Sequence, residues 1–490
     1  MKILLVTGRI AEKEVRKIAE KYDCDVYVAD VDVASFITPK HLENLDLSKY
    51  DIVIVPGLAS GDWKKLEKEK GVKIRLGTVH YTDLPLLLEN IDKIELSHEI
   101  PACKLLSINK AEENMKLVDS LDECYFHIGN VKIGGRMKIV AEIVDATKLD
   151  NDSLIDKIEY YTESGADIID LGIPLEFDLR DVERVVKVAR DCCDALSIDT
   201  FNRKVVEVGV KHGVDMIMSV SKENLDCLEF VGDKAVVVVD RDVNSLLKLV
   251  EKVEKYTEKV IADPLLEPLN VFDSLMRYYE FRRRSDIPLL MGVANVTELM
   301  DADSIGINAL LAYIAEEIGC QILFTTEASD KTRGSVRELR VATYMAKVSK
   351  LKRVPPKDFG FDLLVFKEKR VRRDRFEAKK IVEAKPSEFV RDPMGDFRIW
   401  IDDKIYCQHE KATIVGNNAK EILDTVIRLG LVSRLDHAGY LGRELKKAEI
   451  ALKLGKSYVQ DDELNFGIAD IKAWKKLFDF AIGSSLPQNF

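Results

Sequence analysis

KIVAEIV (138–144), ADIIDLG (166–172), ALSIDT (195–200), VDMIMSV (214–220), KAVVVVD (234–240), KVIAD (259–263), IPLLMGVAN (287–295) and CQILFTTE (320–327) decide the fold of this chain. Each is an almost wholly apolar run, as a parallel strand covered on both faces requires. Helical patterns alternate with them. In DNDSLIDKIEYYTESG (150–165) and FNRKVVEVGVKHG (201–213) apolar residues recur three or four apart, and Gly165 and Gly213 stand where a helix would close. Eight such repeats between Lys138 and about Lys350 predict an α/β chain with a central TIM (β/α)8 barrel. Active sites of such barrels lie where the strands end, so the polar residues that end these runs are the candidates. They are Asp145, Asp170, Asp199, Ser219, Asp240, Asp263, Asn295, Thr326 and Glu327. Asp150 and Asp178 read as helix caps instead, and Asp240 leans the same way.

The rest of the 490 residues divides around the barrel. Residues 1–135 carry MKILLVTG, DVYVAD, YDIVIVPG and KIRLGT with helices between. They predict a doubly wound, flavodoxin- or Rossmann-like α/β domain. Its loops TGRIA and PGLASGDW are neither GxGxxG nor a P-loop, which favours a structural or docking role. The barrel is expected over 136–354 and a C-terminal α+β domain over 355–490. There DFRIWIDDKIYCQHEKATIVG predicts a β-hairpin turning at Asp402 and Asp403. In the helix that follows, Leu441, Leu445, Ala448 and Ala451 form a core stripe. His437, Tyr440, Arg443 and Glu444 at its start are expected to border an interface.

Composition narrows the function classes. A net charge of −11 without a basic and aromatic patch argues against nucleic acid. The basic run Lys367–Lys380 reads as a solvated linker or edge strand. No apolar run approaches a transmembrane length and no signal peptide is visible, so a cytoplasmic protein is expected. Eight cysteines without a CxxC pair read as reduced thiols, and no zinc pattern occurs. A charged fraction of 32%, rich in Lys and Glu, fits a thermophile.

Several motifs resemble the pterin-binding barrels, a family that includes dihydropteroate synthases and methyltransferases using methyl-tetrahydropterins. GADIIDLG (165–172) is similar to the family's second-strand motif, and SIDTFNRKVVEVGVKHGVDMI (197–217) to its third- and fourth-strand block. ADPLLEPLNVFDSL (262–275) and GVANV (292–296) are closer to the methyltransferases. The whole chain resembles archaeal proteins called dihydropteroate synthase-related. The resemblance implies a reduced pterin of the tetrahydromethanopterin or tetrahydrofolate type as substrate or cofactor. Its contacts would be Asp263, Asp199, Ser219, Asn295, Asp170, Thr147 and Asp145, with Asn295 and Asp199 as the catalytic pair. Asp263 suits the adjacent N–H donors of a pterin's pyrimidine edge, which a carboxylate accepts in pairs.

Two reactions follow from the resemblance. One is transfer of a methyl group to or from the pterin, with a corrinoid or other acceptor arriving on a separate protein. The other is a synthase-type condensation of a dihydropterin diphosphate with an arylamine, the case in which Mg2+ would assist; otherwise no bound metal is expected. The synthases' basic residues on strands seven and eight are replaced here by the stretch Val293–Asn295 and by Phe324 and Thr326, and Ser219 stands for their Asn. Lys331 and Arg333 in EASDKTRGS are the candidates to bind phosphate instead. A non-catalytic pterin-binding protein is the third reading, and a homo-oligomer is expected.

Overall fold

A computed structural model describes residues 1–369, 380–386, 388–466 and Ala469. Most of the basic run 367–380 therefore lies outside the described residues. The chain forms two compact units, Met1–Val365 and Phe366–Phe490.

The first unit opens with a four-stranded parallel sheet. Its strands are β1 (Ile3–Thr7), β2 (Asp25–Val28), β3 (Ile52–Val55) and β4 (Lys73–Leu76), in the order β2-β1-β3-β4. Alternate side chains enter two cores. Leu4, Val6, Val53 and Val55 pack with Trp63 and Leu66 on one face. Ile3, Leu5, Ile52 and Ile54 pack with Leu84, Leu87 and Ala102 on the other. Helices on both faces make it the doubly wound sheet that the sequence predicts.

A hairpin, β5 (Phe126–Ile128) and β6 (Val131–Ile133), leads into the barrel. The barrel strands are β7 (Lys138–Ile143), β8 (Ile168–Gly172), β9 (Leu196–Asp199), β10 (Met216–Val220), β11 (Ala235–Val239), β12 (Val260–Asp263), β13 (Leu290–Gly292) and β14 (Ile322–Thr326). They pair in parallel in chain order, and β14 returns to β7. The ring closes between β12 and β13 through one bridge, Ala262 to Leu289, where Ala262 N donates to Pro288 O at 2.9 Å.

The period of two divides each strand. Ile139, Ala141, Ile169, Leu171, Ile198, Val236 and Ala262 face the helices. Val140, Ile168, Met216, Met218, Val237, Ile261, Leu290 and Ile322 fill the interior, together with Ile128 and Ile133 of the hairpin. The hairpin thus stoppers the end of the barrel where the strands begin. Glu142, Asp170, Ser197, Asp199, Asp263 and Gly292 continue the inward positions above this apolar floor.

Local chemistry sets the helix ends. Asp150 accepts from Ser153 N at 2.8 Å and Asp178 from Arg180 N at 2.8 Å, as the sequence predicts. Gly165 (φ +101°) and Gly213 (φ +104°) close helices in the left-handed conformation. Three expectations change. The helix Val243–Val253 is capped by Asp242, which accepts from Ser245 N at 2.8 Å, whereas Asp240 accepts from Asp242 N. The link from β10 to β11 is too short for an α-helix and holds the 3-10 segment Leu225–Phe230. β13 stops at Gly292, so Asn295 lies on the helical turn Ala294–Thr297 rather than at a strand end.

In the second unit the expected hairpin is a three-stranded antiparallel meander, β15 (Arg398–Ile401), β16 (Ile405–His409) and β17 (Ala412–Gly416). Leu441, Leu445, Ala448 and Ala451 of the helix Leu435–Leu454 are buried in its core. The polar start of that helix is used inside the unit. His437 Nδ1 lies 3.2 Å from Asp392, Tyr440 donates to Asp461 at 2.8 Å, and Glu444 accepts from Tyr458 at 2.9 Å; Arg443 is exposed. Asp392 also takes the N–H groups of Ser433 and Arg434 at 2.9 Å each, so it pins the helix entry.

The stopper is testable. Ile133 is fully buried among inward barrel residues. Ile133→Ala should destabilise the first unit by about 2–5 kcal/mol, read as a lower urea midpoint. An unchanged midpoint would mean that the hairpin does not belong to the barrel core.

Candidate active site

Glu142, Asp170 and Asp199 project into the barrel from three neighbouring strands, and one carboxylate oxygen from each lies within 4.8 Å of the others. The register brings them together: Glu142 pairs with Asp170, Asp170 with Ser197, and Gly172 with Asp199. At Gly172 a β-carbon would meet Glu142 Oε1, so the glycine leaves the carboxylate its present place. Ser197 donates its hydroxyl to Asp170 Oδ1, while Asp170 Oδ2 is buried without a partner. Among the described residues no lysine or arginine forms an ion pair with any of the three.

Packing carboxylates this way raises their proton affinity. Burial pushes Glu142 up to about 7, and the charges of Asp199, Glu298 and Asp145 add to it. Asp170 is held well above the ordinary range, first by burial and then by Asp199 and Glu142. Burial also raises Asp199, against the Ser219 hydroxyl that hydrogen-bonds to it. Ser219 reaches that position because β10 breaks register between Ile217 and Val220, and Ser219 itself has φ +60°. Without the break, its place next to the inward Met218 would turn it toward the helices.

Across the ring, Asp263 ends β12. Its Oδ1 accepts the Leu265 N–H at 2.8 Å and the hydroxyl of the fully buried Tyr278. Oδ2 takes no hydrogen bond among the described residues. Burial pushes Asp263 up to about 6, opposed by Tyr278, Leu265 and the Arg277 charge. Asn295 Nδ2 donates to Leu266 O at 2.9 Å and lies 3.3 Å from where a Gly292 β-carbon would be. The carboxamide therefore folds back over an inward-facing glycine, beside the loop that Asp263 anchors. Asp145, Ser219 and Leu265 all have left-handed backbone (φ +55°, +60° and +64°), and all three follow or interrupt barrel strands. Such strain is often stored where side chains must be aimed.

The other sequence candidates have other partners. Asp145 pairs with Lys148 at 2.7 Å. Thr147 is half-buried, and its carbonyl accepts from Arg184 at 3.1 Å. Lys331 pairs with Asp301 at 2.8 Å, and Arg333 is exposed. Glu327 is structural: it accepts from Tyr160 at 2.8 Å and from Val336 N at 3.0 Å, at the start of the last barrel helix. Glu142, Ser197 and Tyr278 escaped the reading of strand ends. For Glu142 the signal was available, as the only acid at an inward position of KIVAEI. Above the acids, Leu175, Phe201, Leu269, Phe272 and Leu299 stand exposed in the connections that follow β8, β9, β12 and β13.

Comparison with known proteins places these residues in context. Residues 142–265 match the family described as pterin binding enzyme. Residues 391–461 match PterinBD-DUF4346, and residues 1–78 match a family of unknown function, DUF6513. The chain is 41% identical over 519 residues to an uncharacterized protein of Methanocaldococcus jannaschii, an alignment covering 95% of this chain and 99% of that one. It is 26% identical over 218 residues to 4-hydroxy-3-methylbut-2-en-1-yl diphosphate synthase (flavodoxin) of Aquifex aeolicus, covering 38% of this chain and 59% of that protein. Among solved structures, 7,8-dihydropteroate synthase from Vibrio fischeri aligns with 48% of this chain and 100% of its own at 17% identity and a TM-score of 0.40. Among the described residues, no helix is long and apolar enough to cross a membrane.

Glu142 links the site to stability. The folded chain holds this proton up to about pH 7, whereas an unfolded glutamate releases it near the ordinary carboxylate value. Its stabilising effect is therefore complete at low pH and is lost as pH rises through about 7. Glu142→Gln should flatten that loss, seen as urea midpoints at about pH 5 and about pH 8 in chelating buffer. Equal pH dependence in the two proteins would refute the assignment.

Proposed function

Because this chain belongs to the family of pterin-binding barrels, we propose that it binds a reduced pterin at the barrel mouth and moves a one-carbon group to or from it. The observation that carries this reading is the sign of the site. Its inward groups are carboxyls, and the cations around it are committed: Arg277 and Arg241 to Glu267, Lys148 to Asp145, Lys222 to Asp240 and Lys331 to Asp301. Asp263, ionised near neutral pH, suits a ring edge rich in N–H donors, and carboxyl groups rather than cations face a diphosphate here. In this reading Asp263 accepts two N–H groups of the pyrimidine edge, with Oδ1 steadied by Tyr278 and Leu265. Asp199 and Ser219 meet the ring from the opposite strands, and Asp170 and Asp145 support them. Asn295, which can donate and accept, sits against N5.

The chemistry then concerns N5. A methyl group on an amine leaves poorly because the C–N electron pair must return to nitrogen. A proton delivered to N5 makes that nitrogen an acceptable leaving group, and the methyl passes to a nucleophilic acceptor. Carboxylic acids that keep their protons near neutral pH are suited to this task. Asp199, in contact with the Glu142 and Asp170 store, is the donor in our reading. The acceptor, a corrinoid or another nucleophile, would come on a separate protein, and the apolar rim offers such a surface.

The synthase-type condensation draws support from Arg333, which is exposed in the loop after β14. Titration with tetrahydropterin, methyl-tetrahydropterin and dihydropterin diphosphate separates the readings. One-carbon transfer expects the methylated form to bind at least as tightly as the others. Asp263→Asn keeps the shape and should weaken binding by about 1.5–3 kcal/mol, measured calorimetrically; an unchanged dissociation constant would remove Asp263 from the site. Arg333→Ala should leave all three affinities alone, and a selective loss of the diphosphate would transfer the case to the condensation.

A further inference from the structure

We propose that Glu142, Asp170 and Asp199 hold one hard divalent cation, of the Mg2+ or Mn2+ kind, inside the barrel. The proposal does not require pterin binding, but an ion held here displaces the protons of these three carboxyls, so proton delivery to N5 would then fall to another group or to water. Three carboxylates offer oxygens within 4.8 Å of one another, in an interior floored by Met218, Leu290 and other apolar side chains. Burying such a group of like charges is costly unless something positive joins them. No side chain does so among the described residues. The second observation is Asp170 itself. It is fully buried, one oxygen is fixed by Ser197, and the other has no hydrogen-bond partner among the described residues. A buried carboxylate oxygen without a donor is rare, and it marks a place where a ligand completes the structure.

The donor set defines that ligand. It contains oxygen only, which suits Mg2+, Mn2+ or Ca2+ over zinc or copper. A six-oxygen shell around Mg2+ spaces neighbouring oxygens by roughly 3 Å and opposite ones by roughly 4 Å. Oxygens that all lie within 4.8 Å of one another are of that scale. The shell is also supported from behind. Ser197 fixes Asp170, Ser219 bonds to Asp199, and Gly172 leaves room for Glu142. Such outer partners orient metal ligands in established sites. Two positive charges against three carboxylates leave one negative charge facing the mouth. Asp199 can give one oxygen to the cation and the other to whatever binds above it.

Manganese tests the proposal directly. Titrating the full chain with Mn2+, followed by loss of the free-ion EPR signal, should show one tight site per chain. Glu142→Gln and Asp170→Asn should each weaken it by at least the roughly 10–100-fold that loss of an outer-shell partner costs, and Ser197→Ala by roughly 10–100-fold. Circular dichroism checks that each variant is folded. Crystals of the unmodified protein soaked in MnCl2 give a second readout that needs no variant. An anomalous peak between the three carboxylates supports the site. No binding at millimolar Mn2+, an affinity unchanged in the folded variants, or a peak elsewhere only would overturn it and leave the cluster to protons. Pterin affinity measured with and without the ion separates failure of this site from failure of the pterin reading.

Discussion

Charge inside a closed barrel is the constraint on which the site depends. The floor of the interior is made of Val140, Ile168, Met216, Val237, Ile261 and Ile322, which solvate no ion. Glu142 and Asp170 stand directly on that floor with Asp199 beside them. Such a cluster persists only with a compensating species, whether protons, a metal or the N–H edge of a ligand. The neighbouring features follow from that need. Ser197 and Ser219 give hydrogen bonds without adding charge. Gly172 gives up its side chain for space. The strained Ser219 backbone turns a hydroxyl inward that regular strand geometry would turn away.

The barrel was legible in the sequence because its strands are fully buried and its helices amphipathic, so both periods were written plainly. The failures were local. The apolar run of strand seven extends to Asn295, but the chain turns helical after Gly292, and no period of two survives in so short a strand. Asp240 and Asp242 are both plausible caps, and only backbone geometry chooses Asp242. In the second unit a third strand followed the predicted hairpin because ATIVG pairs with IYCQH beyond the turn at Glu410 and Lys411.

The site was half legible for a physical reason. Reading strand ends finds residues at the rim, such as Asp199 and Asp263. It overlooks residues one layer deeper, such as Glu142 and Ser197, because a position inside a strand looks structural. It also misses Tyr278, whose hydroxyl reaches Asp263 from a helix on the outer side of the ring. The start of the last helix in the second unit shows how polar residues also serve packing. His437, Tyr440 and Glu444 looked too polar for packing, yet each meets a partner within its own unit.

The hairpin that stoppers the barrel has a kinetic consequence. With Ile128 and Ile133 filling one end, only the other end admits small molecules. Whatever settles against the acids above the apolar floor must enter before any larger reactant covers the mouth, and must leave after it. A reaction of two substrates in this cavity would therefore follow a compulsory order. The deeper ligand would be the first to bind and the last product to depart, and an excess of the outer partner would slow turnover by trapping it below.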